Sequence, residues 1–296
     1  MLQEKGDRTL NAFINITLII IGICVAYPLW YVIICSFSNP SDIATGKVFL
    51  WPSGFTLQGY VEMFKHTQLW VGYRNTIMYT ACSSALGLML QLTCAYALSR
   101  KDLPGRNWLN FFFLFTMYFS GGMIPLYLLW DSMDLVNTRT MMCISGGFSA
   151  WNMIVARSFF MGSIPDSLFD AARIDGCSYF RFFVQVVLPL SGAMIAIIAL
   201  YNIQGHWNSY LSGVIYMHDS DKFTLQQVIV NIQKMGSEIS DELTAIEDMA
   251  QMAQLENRAK LLRYTTVIVA ALPMIILYPF IQKFFVKGVM VGSVKG

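Results

Sequence analysis

The chain has 296 residues, 55% of them apolar and only 13% charged, with a net charge of +2 and a mean hydropathy of +0.51. So little charge excludes an ordinary soluble domain, and a balance this near neutrality gives no electrostatic case for a nucleic-acid partner. The six cysteines show no metal-ligand spacing and the three histidines lie far apart, so neither a metal site nor a disulfide frame is expected.

Six apolar blocks approach the roughly 20 residues that a helix needs to cross a bilayer core, at about 12–37, 73–98, 108–130, 140–160, 186–211 and 262–286. Only helices or closed barrels satisfy their backbone in lipid, so the expected fold is all-α, with six transmembrane helices. The first block is too long for a signal-peptide core, ends in Trp30 and Tyr31, and lacks a small-residue cleavage site. It is therefore expected to remain as a span. The outer loop at 38–72 carries Trp51-Pro52-Ser53-Gly54-Phe55 and a short amphipathic stretch, Leu57 to Phe64. In the third span, Ser120-Gly121-Gly122 with Pro125 marks a kink or a close-packing point.

Between the fourth and fifth spans lies Ser163-Ile164-Pro165-Asp166 through Gly176. Pro165 suits a first helical position, Asp166 suits the positive end of the helix dipole, and Gly176 suits a left-handed C-terminal cap. These signals predict a helix of about ten residues, Pro165 to Asp175. Leu168, Ala171, Ala172 and Asp175 fall at three- and four-residue spacing, and the alanines keep one surface low between Asp170, Arg173 and Asp175. A low surface lets another backbone approach; the plain alternative is an interfacial amphipathic helix.

The fifth span contains Tyr201, Asn202, Gln204, His206, Trp207, Asn208 and Tyr210. Polar groups in a membrane are costly and frequently functional. Aromatic faces and amides are what a sugar's C–H surface and hydroxyls require, and Asn202, His206 and Tyr210 recur every four residues. These seven are candidate passage residues; helix–helix glue with an aromatic interfacial belt is the structural alternative. The outer loop at 212–260 is acidic and predicts a helix from Asp241 to Leu262, and long ordered loops of this kind suit an external partner. The tail 287–296 is small-residue rich and basic. Arg100, Lys101, Arg106, Arg157, Arg173 and Arg181 fall on one side of the predicted topology, which places both termini in the cytoplasm. The chain divides accordingly into 1–72 (N-terminus, first span and first outer loop), 73–286 (a five-helix core with the 163–177 helix) and 287–296 (the tail).

The stretch after the fourth span resembles the cytoplasmic signature loop of bacterial ABC import permeases. That pattern is Glu-Ala-Ala, three residues, Gly, nine residues, Ile, one residue, Leu-Pro. Here it reads Asp170-Ala171-Ala172, Gly176, Val186, Leu188-Pro189 at the same spacing, with Asp for Glu and Val for Ile. Ile174-Asp175-Gly176 is similar to the carbohydrate-uptake, maltose-type branch. Phe119-Ser120-Gly121-Gly122-Met123-Ile124-Pro125, Leu135-Val136-Asn137-Thr138 and the ending Phe285 to Gly296 resemble the polysaccharide and aldouronate permeases of Gram-positive bacteria.

The resemblance implies a type I ABC-importer permease in the bacterial plasma membrane, among membrane lipid. Asp170, Ala171, Ala172, Arg173, Asp175, Gly176, Leu188 and Pro189 would couple it to a dimeric ATPase. It further implies a second, related permease subunit and an extracellular solute-binding lipoprotein. ATP and magnesium would sit on the partner ATPase, since the chain has no G-x-x-x-x-G-K-[ST] loop of its own. The implied cargo is a carbohydrate. The alternatives are an ABC permease for a non-sugar solute, an ion-coupled secondary transporter, which would want carboxylates within its spans, and a membrane-embedded enzyme.

Overall fold

A computed structural model of the chain describes residues 5–242, 259, 261–280 and 282. Among these residues every regular element is a helix. They fall into two compact units: the described residues within Met1–Thr67 and Ile229–Leu272, and those within Gln68–Val228 and Pro273–Gly296.

In the first unit, α1 (Lys5–Ser36) contains the apolar run Leu10–Ser36, whose mean hydropathy reaches 2.5. At 1.5 Å per residue those 27 residues extend about 40 Å, enough to cross a hydrocarbon core. Its C-terminal end packs Ile34 and Cys35 against Val48, and Tyr31 meets Tyr264 edge to face at 6.4 Å. Asn39 caps α2 (Pro40–Ala44) by accepting from the Ser41 N–H. The amphipathic stretch predicted at 57–64 is α3 (Gln58–Lys65), with Met63 on its buried face.

The second unit is built on α4 (Thr67–Ser99), a continuous 33-residue helix. Its buried face carries small and polar residues at helical spacing, among them Thr76, Thr80, Ser83, Gly87 and Gln91. The third predicted span is a pair, α5 (Arg106–Tyr118) and α6 (Met123–Ser132), bent by 109° where Phe119–Gly122 intervenes. Gly122 takes φ +91°, a backbone open chiefly to glycine, so the glycine pair marks a sharp break.

The fourth predicted span is also divided. α7 (Arg139–Ile144) stops, residues 145–149 turn with Gly146 at φ +69°, and α8 (Ala150–Ser163) restarts on a Ser149 side-chain cap. The Gly-Gly pair ends one helix and the serine begins the next. After α9 (Asp166–Ile174) and α10 (Tyr179–Phe182), a π turn at Phe183–Val187 leads into α11 (Leu188–Leu190). The chain then bends by 84° into α12 (Gly192–Trp207). Beyond it come α13 (Tyr210–Tyr216), a 3-10 turn at Ser220–Lys222 and α14 (Leu225–Glu242).

The last described helix is α15 (Leu261–Phe280), within the sixth predicted span. Most of the helix predicted over 241–262, and the tail 287–296, lie outside the described residues. Among the described residues three helices qualify as spans by length and apolarity, or up to five when each bent pair counts as one. The main core gathers Leu92, Ala95 and Leu98 of α4, Met153, Ala156 and Phe160 of α8, and Phe182, Val187 and Ile198 from the later helices.

Candidate functional site

Two features of the second unit carry chemistry. The first lies where the α7–α8 break meets α4 and α12. Ser83, Gly87 and Gln91, four residues apart, form one line along α4. A Cβ on Gly87 would sit 2.3 Å from the Gly147 carbonyl oxygen and 3.0 Å from Asn202 Nδ2. The glycine is therefore what lets the broken segment lie directly on α4.

Around this approach the polar groups pair with one another. Gln91 and Asn202 exchange amide hydrogen bonds, each at 3.3 Å. Asn152 Nδ2 donates to Asn202 Oδ1 at 3.1 Å. Ser83 Oγ and His206 Nε2 are 2.7 Å apart, and the same ring nitrogen faces the Gly146 carbonyl at 3.3 Å. Buried amides left unpaired would be costly, and this reciprocal set satisfies them across three helices and the break.

Beside the network opens a cavity of about 530 Å³, lined by Ser145, Gly146, Ser149, Trp151, Asn152, Tyr201, Asn202, His206, Ser209 and Ser212 among others. Among the described residues its lining holds no carboxylate, lysine or arginine. Trp151 and Tyr201 are 60% and 55% exposed and offer aromatic faces. Hydroxyls, amides and flat rings are a set that binds hydroxyl-rich surfaces. Among the described residues no group of His, Cys, Asp and Glu is arranged to hold a metal ion.

Of the seven candidate passage residues, Tyr201, Asn202 and His206 line this cavity. Trp207 turns away into the protein, with its ring 6.3 Å from Tyr73. Gln204 and Asn208 are exposed away from the cavity, and Tyr210 starts α13 beyond the end of α12. The four-residue spacing breaks there because α12 ends at Trp207. Ser83, Gln91, Asn152 and the Ser145–Ser149 turn complete the site and were not singled out from the sequence. The doubled glycine at 146–147, followed by a serine at an N-cap position, is the signal that points to the turn.

The second feature is α9. Pro165 stands one position earlier than expected, as N-cap, and the helix runs Asp166–Ile174. Gly176 at φ +75° completes a Schellman end: its N–H bonds the Arg173 carbonyl at 3.0 Å, and the Cys177 N–H bonds the Ala172 carbonyl at 2.8 Å. Phe169 is the buried residue of the helix, 3% exposed, and Ala172 packs partly beside it against the core. Only one of the two alanines thus faces outward. The outer surface is Asp170, Ala171, Arg173, Ile174, Asp175 and Gly176, and Ile174 is 87% exposed.

The turn after α4 holds this helix from beneath. Lys101 Nζ meets Asp166 at 2.8 Å, and the lysine holds the Asp166 carboxyl below its usual range. Asp102 accepts from the Tyr179 hydroxyl, and that bond holds its carboxyl below the usual range too. Further on, the Leu188 N–H bonds the Phe183 carbonyl, five residues back, and Pro189 has no N–H to give. Leu188 and Pro189 therefore sit at a widened turn just before the 84° bend.

Comparison with known proteins gives a consistent picture. Residues 83–291 match the family described as binding-protein-dependent transport system inner membrane component. The chain is 32% identical over 290 residues to the polygalacturonan/rhamnogalacturonan transport system permease protein YtcP of Bacillus subtilis, covering 98% of this chain and 99% of that one. It is 34% identical over 298 residues to the protein LplC of the same organism, covering 100% and 98%. A crystal structure of a bacterial ABC transporter involved in the import of the acidic polysaccharide alginate contains a chain that superposes with a TM-score of 0.82. That chain is 30% identical, and the match covers 96% of this chain and 99% of that one. Such permease subunits are non-catalytic, sit in the plasma membrane as multi-pass proteins, and work with a separate ATPase and a solute-binding protein. The chain belongs to the family of binding-protein-dependent transport system inner membrane components, as a permease subunit of an ABC importer.

Proposed function

We propose that this permease conducts an oligosaccharide past the cavity between the α7–α8 break, α8 and α12, and that the outer surface of α9 is the coupling element that docks on the ATPase. The observation that carries the cargo is the lining itself: hydroxyls, amides and two exposed aromatic faces. The names of the relatives, which include polygalacturonan/rhamnogalacturonan and arabinooligosaccharide systems, support the same class. The lack of a carboxylate in the lining argues against an ion-coupled carrier.

In this reading both termini lie in the cytoplasm and α9 faces the motor. A dimeric ATPase presents two grooves and this chain one knob, so a second, related permease fills the other. An extracellular binding lipoprotein delivers the sugar. ATP and magnesium bind the ATPase, and closure of that dimer moves the α9 knobs and switches the cavity from one face to the other.

The test reconstitutes the chain with its ATPase, second permease and binding protein in vesicles. ATP-dependent uptake is measured with labelled galacturonide, alginate and arabinose oligomers alongside a labelled peptide and amino acid. Uptake of a saccharide alone is expected; uptake of peptide or amino acid alone would overturn the cargo assignment. Ala171→Glu is expected to abolish co-purification of the ATPase, because Ala171 is exposed at the centre of the knob. Ala172→Glu is a poorer probe, since that side chain packs partly inward.

A further inference from the structure

Phe169 is the buried residue of α9, and the turn that follows α4 covers it. The Arg100 guanidinium lies 3.8 Å from the centre of the Phe169 ring, and its side chain is only 15% exposed. A cation held on a ring away from water binds more strongly than one at the surface. Arg100 Nε also faces Asp102 at 3.9 Å, and Asp102 accepts from the Tyr179 hydroxyl. Tyr179 closes the ring of contacts, its centroid 5.0 Å from that of Phe169. The neighbouring Lys101–Asp166 pair is largely exposed and adds little. Arg100 is thus the point where the coupling helix and the end of α4 grip each other.

α4 is unbroken from this point to the polar network beside the cavity. Its last turn is secured by two arginines: Arg106 Nε from α5 and Arg157 Nε from α8 each donate to the Leu98 carbonyl at 3.0 Å. That arrangement satisfies an end carbonyl and places positive charge at the negative pole of the helix. From Ser99, Gln91 stands about 12 Å along the axis and Ser83 about 24 Å. Those are the residues that hold Asn202 and His206.

We infer that Arg100 is the positioning residue through which movement of the coupling helix reaches the cavity, with α4 as the rigid rod between them. The inference rests on the reading of α9 as the coupling helix. Movement of Phe169 away from Arg100 would leave a largely buried guanidinium without its main contact, so the two move together. A close-packed core passes such a displacement on rather than absorbing it.

The test uses the full importer complex in vesicles, with Ser212→Cys as a reporter in the cavity. Its labelling by a maleimide is read at position 212 by mass spectrometry, with and without ATP trapped by vanadate. The parent complex is expected to show a ratio of labelling rates well away from one. Arg100→Met and Phe169→Leu are each expected to reduce that ratio by about fivefold or more, the size of a typical coupling between sites, while the ATPase still co-purifies. The double variant is expected to be no worse than either single, because both remove one contact. A parental ratio in Arg100→Met, or additive losses in the double variant, overturns the inference. Should Arg100→Met lose the ATPase altogether, Tyr179→Phe decides instead, and a parental ratio there overturns the inference. A parent chain that binds no ATPase, or an Ala171→Glu variant that still binds it, overturns the coupling-helix reading beneath the inference.

Discussion

Gly176 ends α9, the proposed coupling helix, with φ +75°, and its Schellman bonds close two carbonyls that would otherwise face outward. A Cβ there meets no neighbour, so the cost of adding one is purely conformational. Gly176→Ala is therefore expected to destabilise α9 by about 1 kcal/mol. Faster hydrogen exchange of the α9 amides at an unchanged global melting temperature is the reading that supports this; unchanged exchange would contradict it. Asp102 gives a prediction about pH. The Tyr179 hydroxyl holds its carboxyl below the ordinary value of 3.8, so the folded chain favours the charged form. The contribution is complete above the ordinary value and is lost only as pH falls through the lower folded one. Uptake per ATP in Asp102→Asn should consequently fall by the same factor throughout about pH 6 to 8, and a pH-dependent ratio to the parent would contradict the assignment. Gly176 was legible in the sequence because a helix end is a local event. Gly87 was not: its reason for being glycine is the Gly147 carbonyl, sixty residues away in sequence.

The elements divide along the same line. Apolar length alone placed the long spans, and Pro165, Asp166 and Gly176 placed α9 to within one residue. The break at 119–122 was marked by Ser120-Gly121-Gly122 and Pro125, whereas those at 145–149 and 191 were hidden because windows of about 20 residues average over them. Each break has a local cause: Gly122 at a positive φ, Gly146 followed by the Ser149 cap, and Pro189 with Ser191. The last is the most informative. With no N–H at Pro189, the helix opens into a π turn at Phe183–Val187, and the Ser191 hydroxyl takes up the Val187 carbonyl at 2.7 Å. Pro189→Ala restores a donor and favours a regular helix through the bend. The variant is expected to keep or raise the melting temperature while lowering uptake severalfold with the ATPase still bound. Parental uptake would mean that the wide turn plays no part in transport.

At the scale of the molecule, the cavity and α9 belong to the same compact unit, and α4 runs between α9 and the polar network beside the cavity. In the proposed reading they meet different partners, one the cargo and the other the motor. Trp151 and Tyr201 project into the cavity without joining its hydrogen-bond network. Their removal should weaken sugar binding and leave the framework standing. Loss of one aromatic face is worth about 1.4 kcal/mol, so Trp151→Ala and Tyr201→Ala should each raise the half-saturating sugar concentration about tenfold, with the ATPase retained. Gln91 lies between the two functions. Gln91→Leu takes the acceptor from Asn202 Nδ2 in a buried site, at a cost of about 1–3 kcal/mol, while Asn152 still bonds Asn202 Oδ1. It is expected to lower both the melting temperature and uptake per ATP without changing the half-saturating concentration as much as the aromatic variants do. If all three variants shifted the same parameter by the same factor, the cavity network and the cargo surface would be one feature rather than two, and α4 would have no separate role in joining them.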